Sequence, residues 1–296
     1  NNKVSSVQRK LMTTVEDKNV FNIAIDGNFD DCQNLVKSMF ADNKFSNSIN
    51  MSGVNSINWA RIVAQTVYYF FSYFQACQIN EKINFSVPTG NFGDVYAGYL
   101  SKKMGLPIDK LIVATNQNDI LHRAISNGQY KAHSVVETLS PSMDIQVASN
   151  FERLIYDIND QNTDKTNKIM QSIKNEKKYL IEEKELKKIK KDFVSETISE
   201  QELLSCIKKV YENYQIIIDP HTAVGLGALE KINLVGKSVV LSTAHPCKFP
   251  EAIKKAINIK SELPDNLNYI LSKKENFIVM NNDIEEVKKY ILNKLI

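Results

Sequence analysis

Pro88-Thr89-Gly90-Asn91-Phe92-Gly93-Asp94 is the segment of this sequence with the clearest chemical meaning. A short apolar run at 83–87 (INFSV) ends there and a helical pattern begins, so the glycines fall where a strand must turn tightly into a helix. Successive backbone N–H groups then point into one space at the positive end of a helix dipole, which suits an anion and most naturally a phosphate. The dipole alone contributes about 0.3–1 kcal/mol, up to about 2 when partly buried. Several charge-assisted N–H bonds acting together must therefore supply most of the affinity. The plainer alternative is a glycine turn that joins a strand to a helix and binds nothing. No Gly-Lys-Ser/Thr follows, as a Walker loop requires, and the dinucleotide pattern G-x-G-x-x-G is not matched.

Two further segments carry polar groups at element ends. Residues 241–249 (LSTAHPCKF) place Thr243 beyond a buried strand, where open α/β sheets bind ligands and where a hydroxyl could meet a ring nitrogen. A threonine satisfying backbone groups at a strand end is the competing reading. Residues 55–62 (NSINWARI) put Ser56, Asn58 and Arg61 at the start of a helix, able to hold a phosphate or carboxylate, or simply to cap the helix and form an ion pair. His221, in a first helical turn, and His245, just past Thr243, are candidate general bases or structural hydrogen bonders. His122 and His133 carry no supporting pattern. Cys247 is read as a small buried side chain in preference to a reactive thiol.

The elements that must position these residues alternate. A strand at 20–25 and the turn Asp26-Gly27-Asn28 precede a helix at 30–40, with Cys32, Leu35, Val36 and Met39 at helical spacing. The run 57–74 (INWARIVAQTVYYFFSYF) is interrupted by Asn58, Arg61 and Gln65. A membrane span needs about 20 predominantly apolar residues, so a helix buried inside a globular core is expected instead. A helix near 94–104 stops at Gly105 with Pro107 beyond, and a strand at 111–114 and a helix from 120 follow. Further on, a helix is expected at 200–214, strands at 216–218, 238–242 and 276–280, a helix started by Asp219 and Pro220, and a closing helix from 284. Asn116, Asn118 and Asp119 follow a strand end and could line a cleft. Strands alternating with helices predict open parallel sheets covered on both faces, an α/β fold.

Composition bounds the rest. Of 296 residues, 43% are apolar and 24% charged, and the formal net charge is +3, too small to imply a polyanionic partner. The stretch near 159–191 is rich in Lys, Glu and Asn. It reads as solvated surface helices inserted between sheet elements, not as a nucleic-acid surface, since glutamates are interleaved. Cys32, Cys77, Cys206 and Cys247 form no C-x-x-C pair, which speaks against a metal site or disulfide framework and for a reducing cytoplasm. No secretory signal is visible, and because Asn1 is not Met the natural polypeptide is expected to begin earlier.

In order, IAIDGNFDDCQNLVK from Ile23, NSINWARIVAQTVYYF from Asn55, SVPTGNFGDVYAGYLSKKMGLP from Ser86, VATNQNDILHR from Val113, IDPHTAVGLGALE from Ile218 and STAHPCKFPEAI from Ser242 resemble threonine synthases of the longer enterobacterial and fungal variety. The resemblance runs the length of the chain and is weakest in the 159–191 insert and the tail. It implies a pyridoxal-phosphate (PLP) fold of type II, like the tryptophan synthase β-chain. Residues 1–54 would complete a smaller cofactor-covering domain, and 55–296 would form the large α/β domain. It also implies that Gly90, Asn91, Phe92, Gly93 and Asp94 surround the PLP phosphate and that Thr243 meets the pyridine nitrogen. Ser56, Asn58 and Arg61 would then be candidates for the phosphate of the substrate, O-phospho-L-homoserine. No nucleic-acid or membrane partner is expected, and the oligomeric state stays open, a monomer among the options.

One part of the family pattern is missing. The Schiff-base lysine of these enzymes lies in a Phe-Lys-Asp segment, and neither Lys3 nor Lys10 has that context. No catalytic residue is therefore expected within these 296 residues, and the chain is expected to be an inactive carboxy-terminal part. Two other functions stay open: a related type II lyase or dehydratase acting on a phospho- or hydroxy-amino acid, and a lysine-less binding protein.

Overall fold

A computed structural model describes residues 6–27, 29–55 and 57–295, so Lys3, the turn residue Asn28 and the candidate Ser56 lie outside the described residues. Two compact units emerge, Asn1–Gly53 with Glu262–Ile296, and Val54–Ser261. The chain opens in the smaller unit with α1 (Ser6–Thr13), β1 (Ile23–Asp26), α2 (Phe29–Ala41) and α3 (Asn43–Ser48). The larger unit starts with α4 (Trp59–Ala76), β2 (Ile83–Pro88), α5 (Gly93–Lys103), β3 (Ile108–Thr115), α6 (Ile120–Asn127) and β4 (Gln129–Lys131). It continues through α7 (Phe151–Ile158), α8 (Thr163–Glu176), β5 (Lys178–Leu180), α9 (Glu183–Asp192) and β6 (Phe193–Thr197). It ends with α10 (Glu200–Tyr214), α11 (Pro220–Ile232), β7 (Lys237–Val240) and α12 (Pro250–Ile257). The chain then returns to the smaller unit with β8 (Ile278–Asn281) and α13 (Ile284–Leu295).

The tail thus departs from the expected division. Placed by the sequence in the 55–296 domain, it belongs to the smaller unit, because β8 pairs in parallel with β1, Ile23 opposite Ile278. Val287 of α13 completes an apolar cluster with Leu35, Met39 and Phe45. Lys10 is tied into the same unit, donating to the carbonyls of Leu271 and Lys273.

The larger unit is built on a parallel sheet of order β6-β3-β2-β7. Alternation along β3 sorts its side chains to two cores. Leu111 and Val113 join Tyr69, Phe85, Val95 and Phe92 on one face, while Ile112 and Ala114 join Ala223, Val224 and Ile207 on the other. β2 is buried at all six positions, as a central strand covered on both sides must be.

Helix α4 corrects one expectation. It is not buried all round: Ile62, Thr66, Tyr69 and Tyr73 form the buried stripe, whereas Val63, Val67, Phe71 and Phe74 are exposed. A helix covering a sheet from one side buries only the stripe that faces it. No helix among the described residues is long and apolar enough to cross a membrane. The charged insert forms α8 and α9, and its sparse apolar residues Ile169, Ile173 and Ile189 reach the main core; most of its charges stay outside, while Glu185 is buried and paired with Lys165 at 2.7 Å. Residues 216–218, expected as a strand, form none; they lead straight to the capped start of α11. β6 and the antiparallel β4–β5 pair were not evident in the sequence, since β6 is an edge strand with only Phe193 fully buried and β4 and β5 lie far apart in the chain.

Candidate functional site at the carboxyl ends of the parallel strands

β2 and β7 are neighbours running in the same direction, with Ser86 opposite Val240, and the Leu241 amide still donates to the Ser86 carbonyl at 3.0 Å. Counting on from that register sets Thr243 level with Thr89, the residue before Gly90. The glycine loop and the Thr243 segment therefore leave the sheet side by side, at the end where open α/β folds bind ligands.

The glycine loop is held from several directions. The Thr89 amide donates to the Ala114 carbonyl at 2.8 Å, and the Asn150 amide donates to the Asn91 carbonyl at 3.0 Å. The Asn91 side chain accepts from the Gly93 amide at 3.1 Å. Phe92 caps α5 with φ 69°, a left-handed conformation that a bulky residue adopts only under tertiary compulsion. The compulsion is visible: its ring is fully buried, edge-on to Phe151 at 5.3 Å and against Phe193 at 5.7 Å. At Gly90 a Cβ would lie 2.8 Å from the Ser142 carbonyl oxygen, so only glycine lets the loop pass beneath that backbone. No side chain caps α5, and the amides of Gly90, Phe92 and Asp94 have no acceptor among the described residues. These donors suit a phosphate, which makes the loop a fit for a phosphorylated cofactor.

The Asp94 amide stays with the loop donors, while its side chain turns away from them. Its carboxyl faces α4, where Oδ1 receives Tyr68 Oη at 2.6 Å and Tyr69 Oη at 3.0 Å. Burial pushes its pKa up to about 6, against the lowering effect of the two phenols.

The Thr243 side opens differently. Thr243 is exposed, and the Ser242 hydroxyl lies a long 3.4 Å from that of Thr222. Beneath them, α11 starts at Asp219, which receives the His221 and Thr222 amides and the Thr222 hydroxyl. His221 meets Asp219 through Nδ1 at 3.0 Å and accepts from the Ser142 amide at Nε2 at 3.2 Å. Accepting at Nε2 assigns the imidazole proton to Nδ1. Both nitrogens are engaged, so His221 is a buried structural hydrogen bonder supporting the turn that covers Gly90. Burial opposes the charge on Asp219, but the His221 and Thr222 hydrogen bonds outweigh it and hold the pKa below the ordinary value. Gly225, one turn into α11, allows contact with Pro88 and Val240 at the ends of both strands. His245 is exposed and caps a short turn, accepting from the Cys247 amide at 3.2 Å. Cys247 is buried, and burial raises its pKa.

Asn58 N-caps α4, accepting from the Ala60 amide at 2.9 Å, and Arg61 is exposed one turn on. Asn116 and Asn118 hold a loop. Both donate to Asp144 Oδ1, at 2.8 and 3.0 Å, and Asn116 also donates to Thr138 and Ser140. Arg153 joins two candidate segments, donating to the Ile57 carbonyl and to Asn150 at 2.9 Å each, with its guanidinium over Trp59. Neither Arg153 nor the Asp144 loop carries a sequence signal, since their partners are distant in the chain. A cavity of about 690 Å³ lined by Trp59, Tyr96, Arg153 and Asp157 lies outside this constellation, for none of Gly90–Asp94, Arg61 or Thr243 lines it. Among the described residues no His, Cys, Asp or Glu cluster could hold a metal.

Comparison with known proteins accords with this geometry. The fold matches that of PLP-bound threonine synthase from Brucella melitensis with a TM-score of 0.93 and 43% identity, over 99% of this chain and 64% of that one. Yeast threonine synthase follows at 0.88 and 40%, over 98% and 62%. In sequence, the chain is 44% identical over 293 residues to a threonine synthase of Pseudomonas aeruginosa, covering 98% of this chain and 62% of the relative. Residues 222–291 match the family model "Threonine synthase, C-terminal". Fold and loop cluster define an α/β protein of PLP fold type II. Within that class the chain belongs with the threonine synthases, in the carboxy-terminal part of the family. It spans about three fifths of the length of the curated relatives it matches.

Proposed function

We propose that this chain forms the cofactor-phosphate-binding part of a cytoplasmic PLP-dependent threonine synthase, which converts O-phospho-L-homoserine and water to L-threonine and phosphate. The observation that carries the reading is the set of amides at Gly90, Phe92 and Asp94 without an acceptor among the described residues, with an exposed Thr243 in the segment that follows the neighbouring strand β7. In this reading Gly90, Asn91, Phe92, Gly93 and the Asp94 amide receive the PLP phosphate, while Thr243 meets the pyridine nitrogen. A neutral hydroxyl there leaves that nitrogen largely unprotonated and moderates the ring's pull on electrons. Bound, the cofactor supplies an electron sink for deprotonation of the substrate carbon skeleton. Asn58 and Arg61, with Ser56, receive the substrate's phosphate, and Arg153 keeps their segment in register with the glycine loop through Asn150. His221 maintains the turn over Gly90 and moves no proton.

The proton-moving, Schiff-base lysine is not supplied by these residues, so the chain by itself binds PLP reversibly and turns over nothing. Two assays test this. Absorbance titration with PLP should saturate without a stable covalent adduct at one site, and incubation with O-phospho-L-homoserine should release no threonine. Threonine formation by the 296-residue chain contradicts the assignment of roles. Phosphate release from O-phosphothreonine by a longer form, in place of O-phosphohomoserine, favours a related lyase.

A further inference from the structure

Asp94 is the second residue of α5, directly behind the glycine loop, and four oxygen–oxygen contacts surround its link to α4. Tyr68 Oη lies 2.6 Å from Asp94 Oδ1 and 2.9 Å from Gln65 Oε1. Tyr69 Oη lies 3.0 Å from Asp94 Oδ1 and 2.9 Å from the Asp94 carbonyl oxygen. The Gln65 amide cannot be reversed, because its Nε2 donates to the Arg61 carbonyl at 2.9 Å and its Oε1 must therefore face Tyr68.

A phenol carries one proton. Tyr69 can share its proton between two oxygens of the same residue. Tyr68 has acceptors on two different helices, and with Asp94 ionised one of those contacts brings two oxygens together with no proton between them. A single added proton resolves the count. Asp94 Oδ1–H then donates to Tyr68, Tyr68 donates to Gln65 Oε1, and Gln65 donates to the Arg61 carbonyl. The relay runs from the cofactor-phosphate loop to the backbone of a residue proposed for the substrate's phosphate.

We infer that occupation of the glycine loop by a phosphate dianion is coupled to uptake of one proton by Asp94, which thereby acts as a neutral positioning residue for the start of α5. The physical reason is competition. A carboxylate in the first turn and a bound phosphate both draw on the same positive helix end, and a second anion nearby raises the proton affinity of the first. Among the described residues no Lys, Arg or His pairs with the Asp94 carboxyl. The titratable groups facing it are Tyr68 and Tyr69 of α4, with Arg61 beyond Tyr68. Burial already disfavours its charged form.

The inference rests on the reading of residues 90–94 as the cofactor-phosphate loop, and one experiment separates the two. The chain is titrated calorimetrically with pyridoxine 5′-phosphate, which has the ring and phosphate but no aldehyde to react with lysines. The titration is run at about pH 7.5, well above an ordinary carboxyl pKa, in two buffers of different ionisation enthalpy. The expected result is a buffer-dependent heat reporting uptake approaching one proton per site. Asp94→Asn, whose amide can donate to Tyr68 as the acid would, should bind at least as tightly with no buffer dependence. Tyr68→Phe should reduce the uptake even where it also lowers stability, which a merely structural role would not do. Heat without buffer dependence in the wild-type chain, or uptake unchanged in Asp94→Asn, overturns the proton coupling and leaves the loop assignment standing. No binding heat in either buffer overturns both.

Discussion

Two helices in the larger unit start beneath the same end of the sheet, and their first turns are finished in opposite ways. α11 has its own carboxylate: Asp219 accepts two backbone amides, the Thr222 hydroxyl and His221, and is held ionised. α5 has Phe92 at its cap, the Asn91 side chain takes only the Gly93 amide, and its nearest acid, Asp94, faces the phenols of α4. One helix start is satisfied from within and the other is left wanting an anion. The sequence already sets a glycine loop apart from a helix start capped by Asp219; the placement of the two aspartates closes the second start and leaves amide donors open at the first.

The largest effect is expected at Phe92, whose buried ring enforces the left-handed cap. Phe92→Ala should lower stability by about 3–5 kcal/mol, the range for large-to-small aromatic core changes, read by urea denaturation, with loss of pyridoxine-phosphate binding. Next is Gly90→Ala. A Cβ 2.8 Å from the Ser142 carbonyl must displace either the loop or the turn above it. Affinity should fall at least about tenfold, with about 1–3 kcal/mol of overpacking strain. Asp219→Ala should cost about 1–2 kcal/mol as a lost N-cap, somewhat more because His221 loses its acceptor, while leaving the α5 donors in place.

The pH dependence sharpens the contrast without removing a side chain. Asp219 has a depressed folded-state pKa, so its contribution is present above the unfolded value near 4 and is lost as pH falls through the folded one. Asp94 is raised to about 6, so its neutral form favours folding at low pH and that advantage disappears as pH rises from about 4 to about 6. Thermal melts of wild type against Asp94→Asn should therefore diverge in favour of the variant across that window and run parallel above it. The smallest effect belongs to Thr243→Val. It should leave stability within about 0.5 kcal/mol, as at other exposed positions, and weaken pyridoxine-phosphate binding only a few-fold.

Much of this was legible locally. The strand–glycine–helix pattern located the loop, and helix 200–214 and the Asp219–Pro220 start were readable because helical period and capping chemistry are local signals. What escaped depends on partners far apart in the chain. β6 is recognisable only beside β3, the place of β8 in the smaller unit only beside β1, and the α4 stripe only once one side of that helix meets the sheet. The same holds at the site. Asp94 reads as one more loop residue until Tyr68 and Tyr69 claim its carboxyl, and His221 stays open between base and structural hydrogen bonder until Ser142 takes its second nitrogen.

The central claim is that the unfilled start of α5 and the Thr243 segment receive two ends of one molecule. A crystal structure of the chain grown with pyridoxine 5′-phosphate tests it most directly. The account predicts the phosphate within hydrogen-bonding distance of the Gly90, Phe92 and Asp94 amides, with the ring nitrogen against the Thr243 hydroxyl. Density for the phosphate elsewhere, such as against Arg153 in the neighbouring cavity, or a ring turned away from Thr243, would contradict it.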